Sequence, residues 1–310
     1  MNLPAAETDA VLCADIGTSS LKAALIGVDG KPAAFSRISY AGAAPGCWLA
    51  AFLGALESLA AQCPARRAKV LVISGNGPTL VPVAGDGRPL EPVQWFSPSK
   101  SGPFYGPSLF LPKLAAYRER DPERFITAKL FLSSQEWLSY TLGADPVTVL
   151  AREAYRPFYW DEEQCEKAGL DMGIFPPFAP MGSRIGRVTA AGRIRPPDVL
   201  AGAEKPGGKS LPVGSALPAE TLLPEGTPIL AGGPDFIMAL IGTSVLEPGM
   251  ICDRAGSSEG INLCVDADTF DGLKNSSAAE GIRLLPHPEN GFYNAGVVIG
   301  ESGSLFEAYR

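Results

Sequence analysis

The sequence has very little histidine: His287 is the only one in 310 residues. Zinc sites of the HExxH or Cys2His2 kind cannot be assembled from it. The six cysteines, at 13, 47, 63, 165, 252 and 264, include no CxxC pair. Dispersed, reduced thiols in a cytoplasmic protein are the expectation. Charge is also scarce, with 19% charged residues and a net charge of −7. There is no long Lys/Arg run, so nucleic acid is not an expected partner. No apolar run approaches the ~18 residues that span a bilayer. Residues 1–10 show neither a basic nor an apolar leader region, so no membrane partner and no signal peptide are expected.

What is present is enough apolar matter for a sizeable core. Hydrophobic residues make up 46% of the chain, and this length usually folds as two domains. Thirty-five glycines and 29 prolines announce many turns and close backbone approaches.

Local patterns define the elements. Apolar runs at 11–16, 21–28 and 32–40 predict three strands of a meander. Gly17-Thr18-Ser19-Ser20 and Asp29-Gly30 are the turns between them. Apolar residues at 48, 49, 52, 53, 56 and 59 repeat with a helical period, predicting a helix over 48–62. Residues 70–74 form a short buried strand that ends at Gly75-Asn76-Gly77-Pro78. Strands, then a helix, then a strand indicate an α/β domain. The middle is helical. Asp121-Pro122-Glu123 is a cap with proline at the first helical position. Ser133-Ser134-Gln135-Glu136 is a capping box closed by Gly143, and 161–169 repeats the pattern with Gln164. Residues 193–220 read as a surface loop or insertion. A strand over 227–231, the turn Gly232-Gly233-Pro234 and a helix over 236–241 follow. Residues 250–253 form another strand, with a turn at Ala255-Gly256-Ser257-Ser258.

Four turns can carry chemistry. Asp15-Ile16-Gly17-Thr18-Ser19-Ser20, with Lys22, offers backbone N–H groups and hydroxyls to an anion. The Asp15 carboxylate at its strand end can hold Mg²⁺. An ordinary polar hairpin turn is the bland alternative. An aspartic-protease turn is the other, but no second D-x-G-[ST] exists to complete it. Gly232-Gly233-Pro234-Asp235 puts a carboxylate at a strand-to-helix turn, where it can act as general base or merely as an N-cap. Gly256-Ser257-Ser258 can cradle part of a polyphosphate or be a plain loop. Ser74-Gly75-Asn76-Gly77 lacks the third glycine of a dinucleotide fingerprint but can line a small-molecule cleft. Gly207-Gly208-Lys209-Ser210 only mimics a P-loop, since the first glycine falls on Ala203 and no strand precedes it. His287, between Pro286 and Pro288, reads as a loop residue. Trp95, Trp137 and Trp160 read as core or rim packing.

Taken in order, D-I-G-T-S-S-L-K, I-S-G-N-G, G-T-P-I-L-A-G-G-P-D and A-G-S-S resemble the motifs of the FGGY carbohydrate kinases, within the actin-like, ribonuclease-H-like ATPase group. Leu111-Pro112-Lys113-Leu114 and the segment Leu132-Ser133-Ser134-Gln135-Glu136-Trp137-Leu138 add to the likeness. It runs over nearly the whole chain. The resemblance implies an α/β, ribonuclease-H-like (actin-like ATPase) domain, a mixed sheet flanked by helices, over 1–230. It implies the start of a second domain of the same type over 231–310. It implies phosphorylation of a sugar or polyol by ATP with Mg²⁺. Asp15 would sit near the metal, and Gly17, Thr18, Ser19 and Lys22 would face phosphates. Asp235 would be the general base and also touch substrate. Gly256, Ser257 and Gly303 would belong to nucleotide turns. Asn76, Gly77, Trp95 and Lys100 would contact the sugar.

Two features depart from the family pattern. The W-x-D-x-R-like substrate segment reads Trp95-Phe96-Ser97-Pro98-Ser99-Lys100, without its aspartate and arginine. The later glycine-rich adenosine-binding segment has no counterpart, so about one third of the second domain is expected here. Strands such as 294–299 are then expected to be unpaired or uncovered, which favours pairing with another copy or with a missing C-terminal half. The alternatives to an active kinase are a non-catalytic sugar-binding or regulatory remnant, and an actin-like ATPase of another branch.

Overall fold

The computed structural model describes residues 9–40, 44–90, 105–189, 222–255 and 259–300. The chain divides into two compact units. One comprises residues 1–150 and 156–234, the other residues 151–155 and 235–310.

The first unit is built on a mixed sheet. Strands β1 (Asp9–Ile16), β2 (Ser20–Gly27) and β3 (Pro32–Ser39) form the expected antiparallel meander. Helix α1 (Pro45–Gln62) leads to β4 (Arg67–Gly75), which pairs parallel with β1. The chain continues through β5 (Val81–Ala84), α2 (Leu111–Arg120), α3 (Pro122–Thr127) and β6 (Ala128–Leu132). Helix α4 (Ser134–Leu142), β7 (Thr148–Leu150), α5 (Glu162–Ala168), β8 (Phe178–Pro180), β9 (Arg184–Arg187) and β10 (Pro228–Leu230) complete it. The sheet order is β3-β2-β1-β4-β10-β9, while β5–β6 and β7–β8 are separate pairs.

Period-2 alternation decides which face is covered. Leu12, Ala14 and Ile16 of β1 lie in register with Leu25, Ala23 and Leu21 of β2. All six are buried in one cluster with Leu71, Ile73 and Ile229. Over that face lie α1 and α4, whose Trp48 and Trp137 rings meet edge to face at 6.1 Å. Burying a side chain of this size stabilises by about 1.5–3 kcal/mol, so the stripe of apolar residues, not helix propensity, holds α1 in place.

The caps form as their residue types require. Asp121 accepts from the Arg124 N–H at 3.2 Å, and Asp161 accepts from the Gln164 N–H at 2.8 Å. Gly169 closes α5 in the left-handed conformation at φ 62°, where a Cβ would be strained. Trp137 and Trp160 are buried, as core packing predicts. All six cysteines are free.

The second unit contains α6 (Asp235–Gly242), β11 (Ile251–Ala255), β12 (Glu259–Val265), α7 (Ala267–Lys274), β13 (Arg283–Pro286) and β14 (Tyr293–Ile299). Its sheet is antiparallel, in the order β11-β12-β14-β13. Leu240, Val245, Cys252 and Cys264 form its core, with Phe236 and Phe292 against them. The segment 151–155 belongs here because Tyr155 packs its ring on Phe236 at 6.4 Å and donates its hydroxyl to the Pro286 carbonyl. One expectation is corrected. Strand β14 is not unpaired but bonds to β12 on one side and β13 on the other. Its far end is nevertheless uncovered, with Val297, Val298 and Ile299 exposed. His287 lies in a loop, as expected, but is wholly buried there, and burial lowers its basicity. The expected loop at 193–220 and the P-loop mimic at 207–210 lie outside the described residues.

Candidate functional site

In the first unit, the chemistry gathers at the carboxyl ends of β1 and β4. Gly17-Thr18-Ser19-Ser20 turns tightly, closed by the Gly17 N–H donating to the Ser20 carbonyl at 3.0 Å. That N–H is therefore engaged within the turn. Thr18 and Ser19 are exposed at the tip of this turn. A side chain at 17 would bring a Cβ to 2.9 Å from the Ser20 carbonyl, which explains the glycine.

Tyr40 braces this turn from the end of β3. Its hydroxyl donates to the Gly17 carbonyl at 2.5 Å, and its N–H donates to the Ser19 carbonyl at 3.0 Å. Burial first, and then the nearby Asp15 carboxylate, hold the phenol far above its ordinary titration range. It therefore stays a donor at any physiological pH. Arg37 adds a bond to the Ser20 hydroxyl at 3.1 Å.

Asp15 is the next-to-last residue of β1 and lies on the less covered face of the sheet. Its carboxylate is about one-third exposed and meets the Lys22 ammonium at 3.4 Å. Ser74 lies in register with Asp15 on β4, so both side chains stand on the same face. The Ser74 hydroxyl is buried and finds no partner among the described residues. One accessible carboxylate beside an unsatisfied hydroxyl suits Mg²⁺, which keeps most of its waters and takes few protein ligands. Among the described residues no cluster of three or more metal-ligating side chains exists.

The second turn runs from Gly75 to Thr79. The Asn76 N–H donates to the Ile16 carbonyl at 2.9 Å, tying it to the end of β1. The Asn76 side-chain oxygen accepts from Thr79 at 3.2 Å and from Ser134 at 3.3 Å. Asn76 is thus a buried brace. Gly77 instead lines a cavity of about 20 Å³, together with Thr79, Ser133, Glu136, Thr148, Trp160 and Pro234. That is room for about one water.

The Gly232-Gly233-Pro234 turn lies across the same sheet end. Pro234 bridges Gly75 in parallel fashion, and a Cβ on Gly232 would collide with the Ile73 carbonyl. Only a glycine lets the chain leave β10 so close to β4.

In the second unit, Asp235 opens α6. Its carboxylate accepts from the Arg254 guanidinium of β11, Nη1 to Oδ2, at 3.1 Å. Trp95, Lys100, Gly256, Ser257 and Gly303 lie outside the described residues.

No family model matches the chain, and no curated protein does. Solved structures do. A ligand-bound xylulose kinase from Lactobacillus acidophilus matches with a TM-score of 0.73 at 16% identity, over 97% of this chain and 62% of its own. A gluconate kinase from the same organism gives the same TM-score, 0.73, and 16% identity. A Plasmodium falciparum glycerol kinase with ADP matches at 0.70 and 14%, over 97% and 63%.

The fold is that of the carbohydrate kinases.

The mixed sheet flanked by helices is the arrangement that the resemblance to the FGGY kinases implied. The chain spans a little over three-fifths of the length of these carbohydrate-kinase structures. Three residues beside these turns, two in the first unit and one in the second, were not singled out by sequence: Tyr40, the Ser74 hydroxyl as a separate group, and Arg254. Tyr40 and Arg254 act across strands, and nothing in their local pattern distinguishes them. Ser74 was visible as the residue before the Gly75 turn, and alternation would have placed it beside Asp15 once the β1–β4 pairing was known.

Proposed function

We propose that this chain supplies the acceptor-binding and phosphate-binding parts of an enzyme that phosphorylates a sugar or polyol hydroxyl with ATP. The observation that carries the reading is the Gly232–Asp235 turn. Its Pro234 bridges Gly75 at the carboxyl end of β4, and the next residue in sequence, Asp235, is a carboxylate that opens a helix. The shared fold with xylulose, gluconate and glycerol kinases supports the same reading.

In this mechanism Thr18, Ser19 and Lys22 bind phosphate oxygens, and Tyr40 holds their turn in shape. Asp15, with Ser74 beside it, would hold Mg²⁺, which neutralises charge on the phosphates when bound. Gly256, Ser257 and Gly303 complete the nucleotide contacts. Gly77, Trp95 and Lys100 contact the acceptor, and Asn76 keeps the Gly77 turn in place. Asp235 takes the proton of the acceptor hydroxyl as its oxygen bonds to the γ-phosphorus. The bond from that phosphorus to the β-phosphate oxygen breaks, leaving ADP and a sugar phosphate. Such transfer has a loose transition state, so positioning and charge neutralisation supply most of the rate. The base adds roughly 10²–10⁴-fold. The competing reading is a sugar-binding or regulatory protein with the same fold.

The test is ADP release by the full-length protein, with Mg²⁺-ATP and a panel of polyols, ketoses and sugar acids. Turnover with one acceptor class, lost in Asp235→Asn while that acceptor still binds, is the expected result. Acceptor binding without any turnover would favour the regulatory reading.

A further inference from the structure

In the second unit a side-chain ion pair joins Arg254 to Asp235. Strand alternation puts Arg254 on the same face of β11 as Cys252, which packs in the core with Leu240 of α6. The guanidinium thereby reaches the first residue of that helix, Nη1 to Oδ2 at 3.1 Å, with both side chains about one-third exposed. Its Nε is buried and has no partner among the described residues. Across the ladder, Arg254 pairs with Gly260. A Cβ at 260 would come within 2.9 Å of Nη2 and 3.6 Å of Cζ. The opposite strand therefore leaves open the space that the arginine head fills.

Stability does not account for this arrangement. Partly exposed ion pairs contribute about 0–1 kcal/mol, and an acidic residue at the start of α6 is already favoured by the helix dipole. What the planar fork does supply is direction. Guanidinium N–H groups have fixed geometry, so the Nη1 bond to Oδ2 holds that carboxylate oxygen on the arginine side and restricts rotation of the group.

We propose that Arg254 is a positioning residue for Asp235: it orients the carboxylate so that the acceptor hydroxyl meets an aligned base. This deepens the kinase reading and rests on it. Arg254 exchanges no proton and forms no bond to substrate. The proton passes from hydroxyl to Asp235, the acceptor oxygen bonds to phosphorus, and ADP leaves.

The experiment compares Arg254→Gln, Arg254→Lys and Gly260→Ala in the full-length protein. Difference infrared spectroscopy against Asp235→Asn reads the pH at which the Asp235 carboxylate takes up its proton, with no need for turnover. Removing the adjacent cation should move that midpoint up by about one pH unit in Arg254→Gln. Arg254→Lys should restore part of it. Gly260→Ala, which pushes the fork aside without deleting it, should move it the same way by less. In turnover, Arg254→Gln should lower kcat about 10–100-fold, change the acceptor KM little, and carry the acid limb of the kcat profile upward with the infrared midpoint. An active wild type with Arg254→Gln unchanged in midpoint and acid limb overturns the inference and leaves the kinase reading standing. A wild type inactive on the whole panel defeats the kinase reading, and the infrared midpoint then still decides whether Arg254 governs Asp235.

Discussion

Glu136 accepts a hydrogen bond from the Val149 N–H at 2.6 Å, so the first turn of α4 is tied to β7 through one buried carboxylate. Its other oxygen accepts from the Ser133 N–H at 2.8 Å. Burial nevertheless outweighs these two bonds and pushes the carboxyl up to about 7, from an ordinary 4.5. The folded state therefore holds a proton that the unfolded chain has lost between those values. The stabilisation from this group is complete below about pH 4.5 and disappears as pH rises through about 7. Glu136→Gln cannot ionise, and its amide NH2 faces an N–H donor, so it is destabilised throughout. Its deficit against wild type should shrink by on the order of 1–3 kcal/mol between pH 4.5 and 8. Urea unfolding at several pH values measures this. A deficit independent of pH would show that Glu136 ionises normally.

Tyr40→Phe removes the hydroxyl that donates to the Gly17 carbonyl. The cost in stability is about 1 kcal/mol, read as a fall in Tm of about 2–4 °C. Nucleotide affinity should fall as the turn loosens, while acceptor affinity holds. Calorimetric titration of each ligand separates the two. Equal loss of both would mean that Tyr40 supports the whole unit rather than the turn.

Gly232→Ala places a Cβ against the Ile73 carbonyl. Backbone cannot yield as a flexible side chain does, so about 1–3 kcal/mol of destabilisation is expected. Gly242→Ala, where nothing lies within 4 Å of the added carbon, should change stability by no more than about 0.5 kcal/mol. Chemical denaturation of both variants makes the comparison. Similar values would show that the strand-to-helix turn tolerates a side chain.

Asp15→Asn removes the proposed metal-binding carboxylate and one partly exposed ion pair with Lys22. The ion pair is worth at most about 1 kcal/mol, so Tm should barely move. Mg²⁺-dependent nucleotide binding should drop sharply, measured by titrating ATP with and without the metal. Unaltered Mg²⁺ dependence would take Asp15 out of that role.

Short-range chemistry was legible before any coordinates. The caps at Asp121 and Asp161, the left-handed stop at Gly169 and the hairpin at Asp29-Gly30 each depend on residues within about four positions. Turn residues and hydrophobic period therefore sufficed to place them. The α1 stripe from Trp48 to Leu59 was equally plain, because a 3.6-residue period has one solution in three dimensions. Asp15, Gly17 and Asp235 stood out because each occupies a turn whose residue types are unusual for an ordinary connection.

Contacts between distant strands were decided only by tertiary structure. Tyr40 reaches Gly17 because β3 pairs beside β2, and Arg254 reaches Asp235 because β11 packs under α6. The Glu136 carboxylate looked like an ordinary capping-box acid until β7 was laid against it. Segment 151–155 joined the second unit through Tyr155, against its order in the chain. The physical reason is common to all four. A side chain's local pattern encodes its own backbone conformation, whereas its partner is chosen by which apolar faces can be buried together, and that choice involves the whole unit at once.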